Sequence, residues 1–360
     1  MKAAICYKYG EPLIVEEVDI DHPKEGEVKV RIAVASICHS DIHIIKGERV
    51  GSVPVLAGHE GSGIVEEIGS NVTLVSTGDR VVVSLLRSCG YCFYCSSGAP
   101  HKCESEWALD KENRVNTKNG QPIRLGLRTG AFAEYVIVHE SQLVQIPDDI
   151  PFEHAAVLAC GVITGYGAVV NTAQVKPGES VVVIGTGGVG LNSVQGSAIS
   201  GAYPIIAVDI LENKLRAARR FGATHTINAV KQDTVEIVNE LTSGRGANYV
   251  FVGVGSTSAA SQALKLVRKR GAVVIAGIPK TGETIPLTVD ELVGGEWRII
   301  GSSMGGTRLR TDIPKLVDLY KQGHLQLGEL IQGKYPLRKI NEAIEDMENG
   351  NAIKNVIVFE

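Results

Sequence analysis

The stretch Val181–Gly190, VVVIGTGGVG, decides how the second half of this 360-residue chain folds. Four consecutive apolar residues predict a strand buried on both faces, and a glycine-rich turn follows the strand directly. The turn matches G-x-G-x-x-G. In that pattern the first glycine permits a tight turn, the second lets the backbone approach a pyrophosphate, and the third lets helix and strand pack closely. The candidate cofactor-binding residues of the turn are Gly185, Gly187, Gly188 and Gly190.

The residues after this turn favour NAD as the dinucleotide. Asp209 ends the next predicted strand, nineteen positions beyond Gly190, where an acid would bind the ribose hydroxyls. The same carboxylate would repel a 2′-phosphate, which disfavours NADP. Lys214 is a candidate contact to the adenosine ribose, although a solvated helix lysine explains it equally well.

The regions around this motif differ in character. Apolar strands that alternate with helices follow it, which predicts a doubly wound parallel sheet. Strands are predicted at 205–208, 249–252 and 272–276, and helices at 213–221 and 234–241. The first 150 residues are β-rich and glycine-punctuated, with strands predicted at 27–34, 63–69, 79–83 and 134–138. Beyond residue 305, helices are predicted at 313–321 and 340–349 and a strand at 356–359.

Composition predicts an ordinary globular protein of two domains. Hydrophobic residues make up 44% of the chain, and its 40 acidic and 36 basic residues give a net charge of −4. This balance supplies no positive field that would recruit nucleic acid or anionic lipid. The sequence shows no signal-peptide core and no uninterrupted apolar run near the roughly 18 residues that span a bilayer. We therefore expect a cytoplasmic protein whose seven cysteines are thiols or metal ligands.

Four of these cysteines share one loop: Cys89, Cys92, Cys95 and Cys103. Their spacing fits a tetrahedral zinc site that leaves no open position and is therefore structural. An iron–sulfur cluster shares the opening C-x₂-C-x₂-C, but the usual proline after the fourth cysteine is missing. A zinc ribbon that grips nucleic acid needs basic neighbours, and the loop offers mainly Arg87 and Lys102. Free buried cysteines would not need such spacing.

Three further candidate ligands lie far apart in the sequence. Cys38 begins the segment CHSDIH, His59 lies in GHEG, and Cys160 lies in LACG. Each residue singly has an ordinary explanation in the core, and periodicity does not show that the three meet in space.

Together these motifs resemble the zinc-dependent alcohol dehydrogenases of the medium-chain dehydrogenase/reductase family, over essentially the whole length. The resemblance implies an α/β protein with a GroES-like, β-rich catalytic domain at 1–159 and 305–360. A Rossmann NAD-binding domain at 160–304 completes the chain.

The resemblance also implies a catalytic zinc ion bound by Cys38, His59 and Cys160, with the fourth position left for water or substrate. With the four-cysteine site, this makes two zinc ions per chain. Glu60 corresponds to an acid that approaches the metal during ligand exchange, and Asp41 to the partner that fixes the His59 ring.

The resemblance assigns further roles around the cofactor. A proton relay runs from Ser40 through the cofactor ribose to His43. His39 and Lys354 correspond to pyrophosphate contacts that are often arginine in relatives. Thr164 and Val189 match residues that contact the nicotinamide half of the cofactor. Leu85 matches a residue of the substrate pocket.

The predicted function is reversible hydride transfer from a primary or secondary alcohol to NAD, which gives an aldehyde or ketone. The alternatives are a glutathione-adduct formaldehyde dehydrogenase and an alcohol oxidoreductase that holds NAD permanently and serves a second acceptor. A polyol dehydrogenase usually has glutamate where Cys160 stands. A non-catalytic NAD- and zinc-binding scaffold would not need Cys38, His59, Cys160, Ser40 and His43, yet all five are present.

The expected partners are small-molecule alcohols and aldehydes, not nucleic acid or membrane. Relatives commonly pair the edge strands of their nucleotide domains, and residues 297–302 are the candidate edge here. A homodimer or homotetramer is expected.

Overall fold

A computed structural model describes residues 1–359, and these residues form two compact units. The first unit comprises Met1–Cys160, Arg308–Gly323 and the chain from Leu327 onward. The second unit comprises Gly161–Thr307 and His324–Gln326.

The strands of the two units range from two to ten residues in length. In chain order they are β1 (Lys2–Cys6), β2 (Ile14–Ile20), β3 (Glu27–Ser36), β4 (Val55–Leu56), β5 (Glu60–Ile68), β6 (Arg80–Val83), β7 (Val115–Thr117), β8 (Arg124–Leu125), β9 (Tyr135–His139), β10 (Leu143–Gln145), β11 (Val181–Ile184), β12 (Ile205–Asp209), β13 (His225–Asn228), β14 (Ala247–Val252), β15 (Val267–Ile275), β16 (Arg298–Gly301), β17 (Ile331–Pro336) and β18 (Lys354–Val358).

The α-helices are concentrated in the second half of the chain. They are α1 (His39–Ile45), α2 (Phe93–Ser96), α3 (Ala108–Lys111), α4 (Phe152–Val157), α5 (Ile163–Gly167), α6 (Gly188–Ile199), α7 (Glu212–Arg220), α8 (Thr234–Leu241), α9 (Thr257–Leu264), α10 (Val289–Gly295), α11 (Leu309–Lys321) and α12 (Ile340–Glu348).

The first unit is β-rich, as predicted. One sheet has the order β7-β2-β1-β4-β8, and the other β10-β6-β5-β3-β18-β17 with β9 paired to β3. The antiparallel pairing of β3 with β5 ends at Ser36 opposite Glu60, close in sequence to Cys38 and His59. This register brings two of the predicted ligand segments to the same end of one strand pair.

The second unit confirms the doubly wound parallel sheet. All its strand pairs are parallel, and their order is β13-β12-β11-β14-β15-β16. The order reverses between β11 and β14, and such a switch point is where ligands bind in open α/β sheets. The glycine-rich turn follows β11, so it lies at this switch point.

One helical stretch, Phe152–Ala173, is long and apolar enough to cross a bilayer by length and composition alone. However, 78% of its most apolar window is buried inside the protein, as in the core helix of a globular protein. The stretch is not uniformly α-helical. Wider π-helical turns at Leu158–Val162 and Ala168–Ala173 flank α5.

Candidate metal and cofactor sites

The first unit gathers four predicted residues into one cluster. Ligand atoms of Cys38, His59, Glu60 and Cys160 all lie within 4.8 Å of one another. Cys38 precedes α1, His59 and Glu60 stand where β5 begins, and Cys160 lies in the π-helical turn at Leu158–Val162. His59, Glu60 and Cys160 are buried, and Cys38 is half-buried.

Asp41 orients the imidazole of His59. Its Oδ1 accepts hydrogen bonds from His59 Nδ1 (2.8 Å) and from the Gly58 amide (3.0 Å). Its Oδ2 accepts a hydrogen bond from the Cys38 amide (3.3 Å). One fully buried carboxylate therefore ties the Cys38 segment to the His59 segment. Metal-ligating histidines typically have such an acidic partner on the other ring nitrogen.

The remaining ring nitrogen of His59 provides the test of whether a metal fits. Nε2 is buried and has no hydrogen-bond partner. A buried polar atom without a partner is unfavourable unless a ligand satisfies it. Two thiols complete the donor set, because Cys38 and Cys160 belong to the same cluster. Two sulfurs and one imidazole nitrogen suit a tetrahedral zinc ion with one open position.

The thiols of Cys38 and Cys160 form a hydrogen bond that shifts their pKa values in opposite directions. A hydrogen bond from Cys160 lowers the pKa of Cys38, helped by the positive charge of Lys354 and opposed by burial. The same pairing with Cys38, together with burial, raises the pKa of Cys160. The pair therefore favours a thiolate at Cys38 over one at Cys160, and a divalent cation would favour thiolates at both.

Lys354 lies on the Glu60 side of this cluster. Its Nζ donates to both carboxylate oxygens of Glu60 (2.6 Å each) and to the Ile37 carbonyl (3.2 Å). Burial raises the pKa of Glu60 to about 7, although the charge of Lys354 opposes this shift. Lys354 was predicted to contact the pyrophosphate. All three donors of its buried ammonium are used within the protein, so a phosphate contact requires one of these bonds to break.

The predicted relay residues lie on α1. Ser40 and His43 are three positions apart in this helix, which puts them on neighbouring positions of one face. The Nδ1 of His43 is hydrogen-bonded to Glu48 at 2.5 Å. His39, the first residue of α1, is exposed, and Leu85 is half-buried just after β6.

The four-cysteine loop forms a second cluster. The sulfurs of Cys89, Cys92, Cys95 and Cys103 lie within 4.8 Å of one another and are half-buried. Backbone amides support them, since Cys92 N donates to Cys89 Sγ (3.2 Å) and Cys89 N to Cys103 Sγ (3.4 Å). Four converging sulfurs in one loop fit a closed zinc site. Arg87, a basic neighbour of the loop, is buried and paired with Asp110 (2.7 Å).

The glycine-rich turn of the second unit has the shape that a dinucleotide requires. Gly185 has a φ of +83°, and a Cβ on Gly190 would lie 1.8 Å from the carbonyl oxygen of Gly185. These two glycines are therefore needed by the turn and by helix packing. A Cβ on Gly187 would meet nothing within 4 Å, so open space lies above this backbone. Gly188 and Val189 form the first turn of α6.

Asp209 is held firmly at the end of β12. Its Oδ2 accepts from the amide (2.7 Å) and hydroxyl (2.9 Å) of Thr186. Its Oδ1 accepts from the amides of Ile210 (2.8 Å) and Leu211 (3.0 Å). A ribose hydroxyl would share this carboxylate with these donors. Sequence reasoning missed Thr186, because a G-x-G-x-x-G pattern places no demand on its second position.

The two other predicted contacts in the second unit lie on helices. Thr164 is buried in α5, and its hydroxyl lies 3.7 Å from the sulfur of Met304. Lys214 is half-exposed in the first turns of α7.

Comparison with known proteins identifies the family. The alcohol dehydrogenase GroES-like domain matches residues 24–148, and the zinc-binding dehydrogenase domain matches residues 188–322. The chain is 36% identical to alcohol dehydrogenase B of Mycobacterium tuberculosis, covering 99% of this chain and 98% of the relative. The chain belongs to the zinc-dependent alcohol dehydrogenases of the medium-chain dehydrogenase/reductase family. It is thus a zinc-dependent alcohol oxidoreductase that uses a nucleotide cofactor and acts on small-molecule alcohols.

Other members of this family resemble the chain over similar lengths. S-(hydroxymethyl)glutathione dehydrogenase of Saccharomyces cerevisiae is 36% identical, with 99% of this chain and 95% of the relative covered. NDMA-dependent alcohol dehydrogenase of Amycolatopsis methanolica is 34% identical, with 99% and 98% covered. The crystal structure of benzyl alcohol dehydrogenase from Acinetobacter calcoaceticus superposes with a TM-score of 0.92 at 33% identity, with 100% and 99% covered.

Proposed function

We propose that this alcohol dehydrogenase oxidises primary or secondary alcohols reversibly with NAD, using one catalytic and one structural zinc ion per chain. The observation that carries the proposal is the buried Nε2 of His59, which has no hydrogen-bond partner and belongs to a cluster with two thiols. Buried histidine nitrogens are usually hydrogen-bonded, and what sets His59 apart from other buried groups is that two thiols and a carboxylate lie within 4.8 Å of its ring.

The chain's residues prepare this site for alcohol oxidation. Cys38, His59 and Cys160 would hold the zinc ion, and Asp41 keeps Nδ1 of His59 occupied so that Nε2 is directed to the metal. A zinc ion held there would supply Lewis acidity, which makes the hydroxyl proton of an alcohol easier to lose, and a nicotinamide cofactor would supply the hydride acceptor. The Ser40 hydroxyl would accept the released proton while giving up its own through the cofactor ribose, and His43 would pass a proton on to solvent.

The choice of NAD rests on Asp209. A carboxylate fixed at the end of β12 by four hydrogen bonds suits the ribose hydroxyls and disfavours a 2′-phosphate. Exchange of Asp209 for alanine is expected to raise the KM for NAD about tenfold while kcat changes little, because the loss affects binding alone. The activity ratio of NADP to NAD should rise, and an unchanged ratio would remove Asp209 from the ribose site.

The decisive experiment combines metal analysis with a panel of alcohols. We expect about two zinc ions per chain and NAD-dependent oxidation of an alcohol, followed by NADH absorbance at about 340 nm. The panel includes ethanol and benzyl alcohol, because the aliphatic Leu85 at the pocket position would admit bulky substrates. A protein that binds two zinc ions and NAD but turns over no alcohol in either direction would refute the proposal.

Two relatives give reasons to extend this panel. Because one relative is an NDMA-dependent alcohol dehydrogenase, a further experiment tests whether NAD stays bound to this protein while electrons pass to a second acceptor. Purified protein that absorbs near 340 nm after alcohol alone, with no NAD added, would support this variant. Because another relative is an S-(hydroxymethyl)glutathione dehydrogenase, the panel also includes S-(hydroxymethyl)glutathione as a substrate.

We also propose that the first unit is the catalytic domain, that the second is the NAD-binding domain, and that the enzyme is a cytoplasmic homodimer or homotetramer. Within residues 1–359, β16 pairs only with β15 and leaves its other edge open. An open strand edge favours pairing with a second copy. Scattering in solution tests the subunit number, and cell fractionation tests the location.

A further inference from the structure

A buried serine outside the predicted site contacts the segment that carries one of its ligands. Ser84 follows β6 directly and is fully buried. Its hydroxyl donates a hydrogen bond of 2.8 Å to the carbonyl oxygen of Ala159. Ala159 precedes Cys160, so this bond acts one residue away from a thiol of the cluster.

The backbone of Ser84 is itself fixed. Its amide donates to the Gln142 carbonyl (3.0 Å), and its carbonyl accepts from Gln142 Nε2 (2.8 Å). Gln142 is fully buried, and its Oε1 accepts from Arg87 Nε (2.6 Å). The hydroxyl therefore extends from a rigid polar network, and buried networks whose members are all satisfied rigidify their surroundings.

The backbone around Cys160 has a particular need for such support. The helix widens to a π-helical turn over Leu158–Val162, a geometry that is rare and appears frequently at functional sites. The position of the Cys160 sulfur depends on how this turn is held. Metal–ligand distances tolerate deviations of only about 0.2 Å.

We propose that Ser84 is a positioning residue that holds the Ala159 carbonyl and thereby sets the place of the Cys160 thiolate in the zinc site. The inference rests on the proposed function, in which Cys38, His59 and Cys160 bind the catalytic zinc. Ser84 acts through the backbone of the ligand segment.

Ser62 provides a matched control. It is also fully buried, lies on the adjacent strand β5, and donates through its hydroxyl to the Phe152 carbonyl (2.6 Å). This bond holds the start of α4, eight residues before Cys160. Removal of either hydroxyl breaks one hydrogen bond to this helical stretch. Only the carbonyl that accepts from Ser84 belongs to a residue next to a proposed metal ligand, Cys160.

The test uses the full chain with cobalt(II) in place of zinc. Wild type, Ser84→Ala, Ser62→Ala and Cys160→Ser are compared by their thiolate-to-cobalt and d–d absorption bands. Subtracting the Cys160→Ser spectrum removes the contribution of the four-cysteine loop and leaves the bands that depend on the Cys160 thiolate. The rate of cobalt release to a chelator, kcat and the KM for NAD complete the comparison, at a temperature where circular dichroism shows every variant folded.

We expect shifted bands for Ser84→Ala, about tenfold faster cobalt release and about tenfold lower kcat, since partners that orient ligands typically change affinity or activity by 10- to 100-fold. The KM for NAD should stay within about twofold of wild type, because the second unit is untouched. Ser62→Ala should lose similar thermal stability but keep the wild-type bands and release rate.

Equal spectra and release rates for the two alanine variants would overturn the role of Ser84. Failure of the proposed function has a different signature. In that case the wild-type and Cys160→Ser spectra would coincide, since no cobalt would be bound by Cys160.

Discussion

The two cysteine-containing clusters of the first unit differ in how the chain assembles them. The loop cluster takes all its sulfurs from residues 89–103, and these sulfurs are half-buried. The buried cluster draws on residues 38, 59 and 160, which only the pairing of β3 with β5 and the helical stretch after residue 152 bring together. A cluster formed within one loop stabilises that loop and the fold it belongs to, whereas a cluster formed from distant segments has surroundings contributed by several elements of the unit.

The donor atoms differ in a corresponding way. Four thiolates complete a tetrahedron and leave no position for a substrate. The buried cluster has two thiols and an imidazole held by Asp41, and a carboxylate held by Lys354 lies beside them. We expect the loop cluster to serve stability and the buried cluster to serve chemistry.

The largest effect is expected from removal of the His59 imidazole. His59→Ala should lower kcat about 1,000-fold or more, because loss of Lewis acidity removes several kcal/mol of transition-state stabilisation. Zinc content should fall from about two ions per chain to about one. Metal analysis and steady-state kinetics measure the two quantities. His22→Ala, at an exposed histidine, is the control. Full zinc content in His59→Ala would place the catalytic metal elsewhere.

Disruption of the loop cluster should give the opposite pattern. Cys92→Ala is expected to lower the thermal midpoint by about 10 °C, because metal binding and folding are coupled and about 1 kcal/mol corresponds to a few degrees. Below this midpoint kcat should stay within about threefold of wild type. Cys6→Ala is the control, since Cys6 is a buried thiol outside both clusters. If Cys92→Ala instead abolished activity at unchanged stability, the assignment of roles to the two clusters would be reversed.

The orienting carboxylate has no counterpart in the loop cluster. Asp41→Asn keeps the size of the side chain but replaces one acceptor oxygen with a donor. It therefore cannot accept hydrogen bonds from the His59 ring and from the amides of both Cys38 and Gly58. We expect zinc affinity or kcat to fall about 10- to 100-fold. Competition with a chromophoric chelator measures the affinity. Asp19→Asn, at an exposed acid paired with Lys118, should leave it unchanged. Wild-type affinity in Asp41→Asn would show that the His59 ring is fixed by other contacts.

The smallest effect is expected at the end of the proposed relay. His43→Gln should lower the rate only a few-fold near neutral pH, because buffer can replace a proton acceptor that lies near solvent. The loss should be greatest in dilute buffer and should be reversed by added imidazole. A rate that is equally low at every buffer concentration would argue against proton transfer through His43.

The elements with regular periodicity were predictable from sequence. The strand Val181–Ile184 and the helix Thr234–Leu241 have the predicted bounds, because apolar runs and turn residues mark both ends. The start of α11 was predicted wrongly at Ile313. The helix begins at Leu309 and contains Pro314 in its interior. The strand β15 begins at Val267, before the polar residues 268–270 that hid its first half.

The candidate site was predictable only in part. Local spacing was enough to group the four loop cysteines. For Cys38, His59 and Cys160, only resemblance to a family indicated a common site, because no local pattern encodes the pairing of distant segments. The pairing of Lys354 with Glu60 was missed for the same reason. Their contact depends on where β18 lies beside β3, which appears only in the folded unit.

The position of Cys160 also constrains protein engineering. The first segment of the first unit ends at Cys160, and the second unit begins at Gly161. A chimaera that exchanged residues 161–307 for those of a relative would therefore need its first junction after position 160. A junction two residues earlier would take positions 159 and 160 from the relative, and would thereby replace the carbonyl group to which Ser84 donates its hydrogen bond.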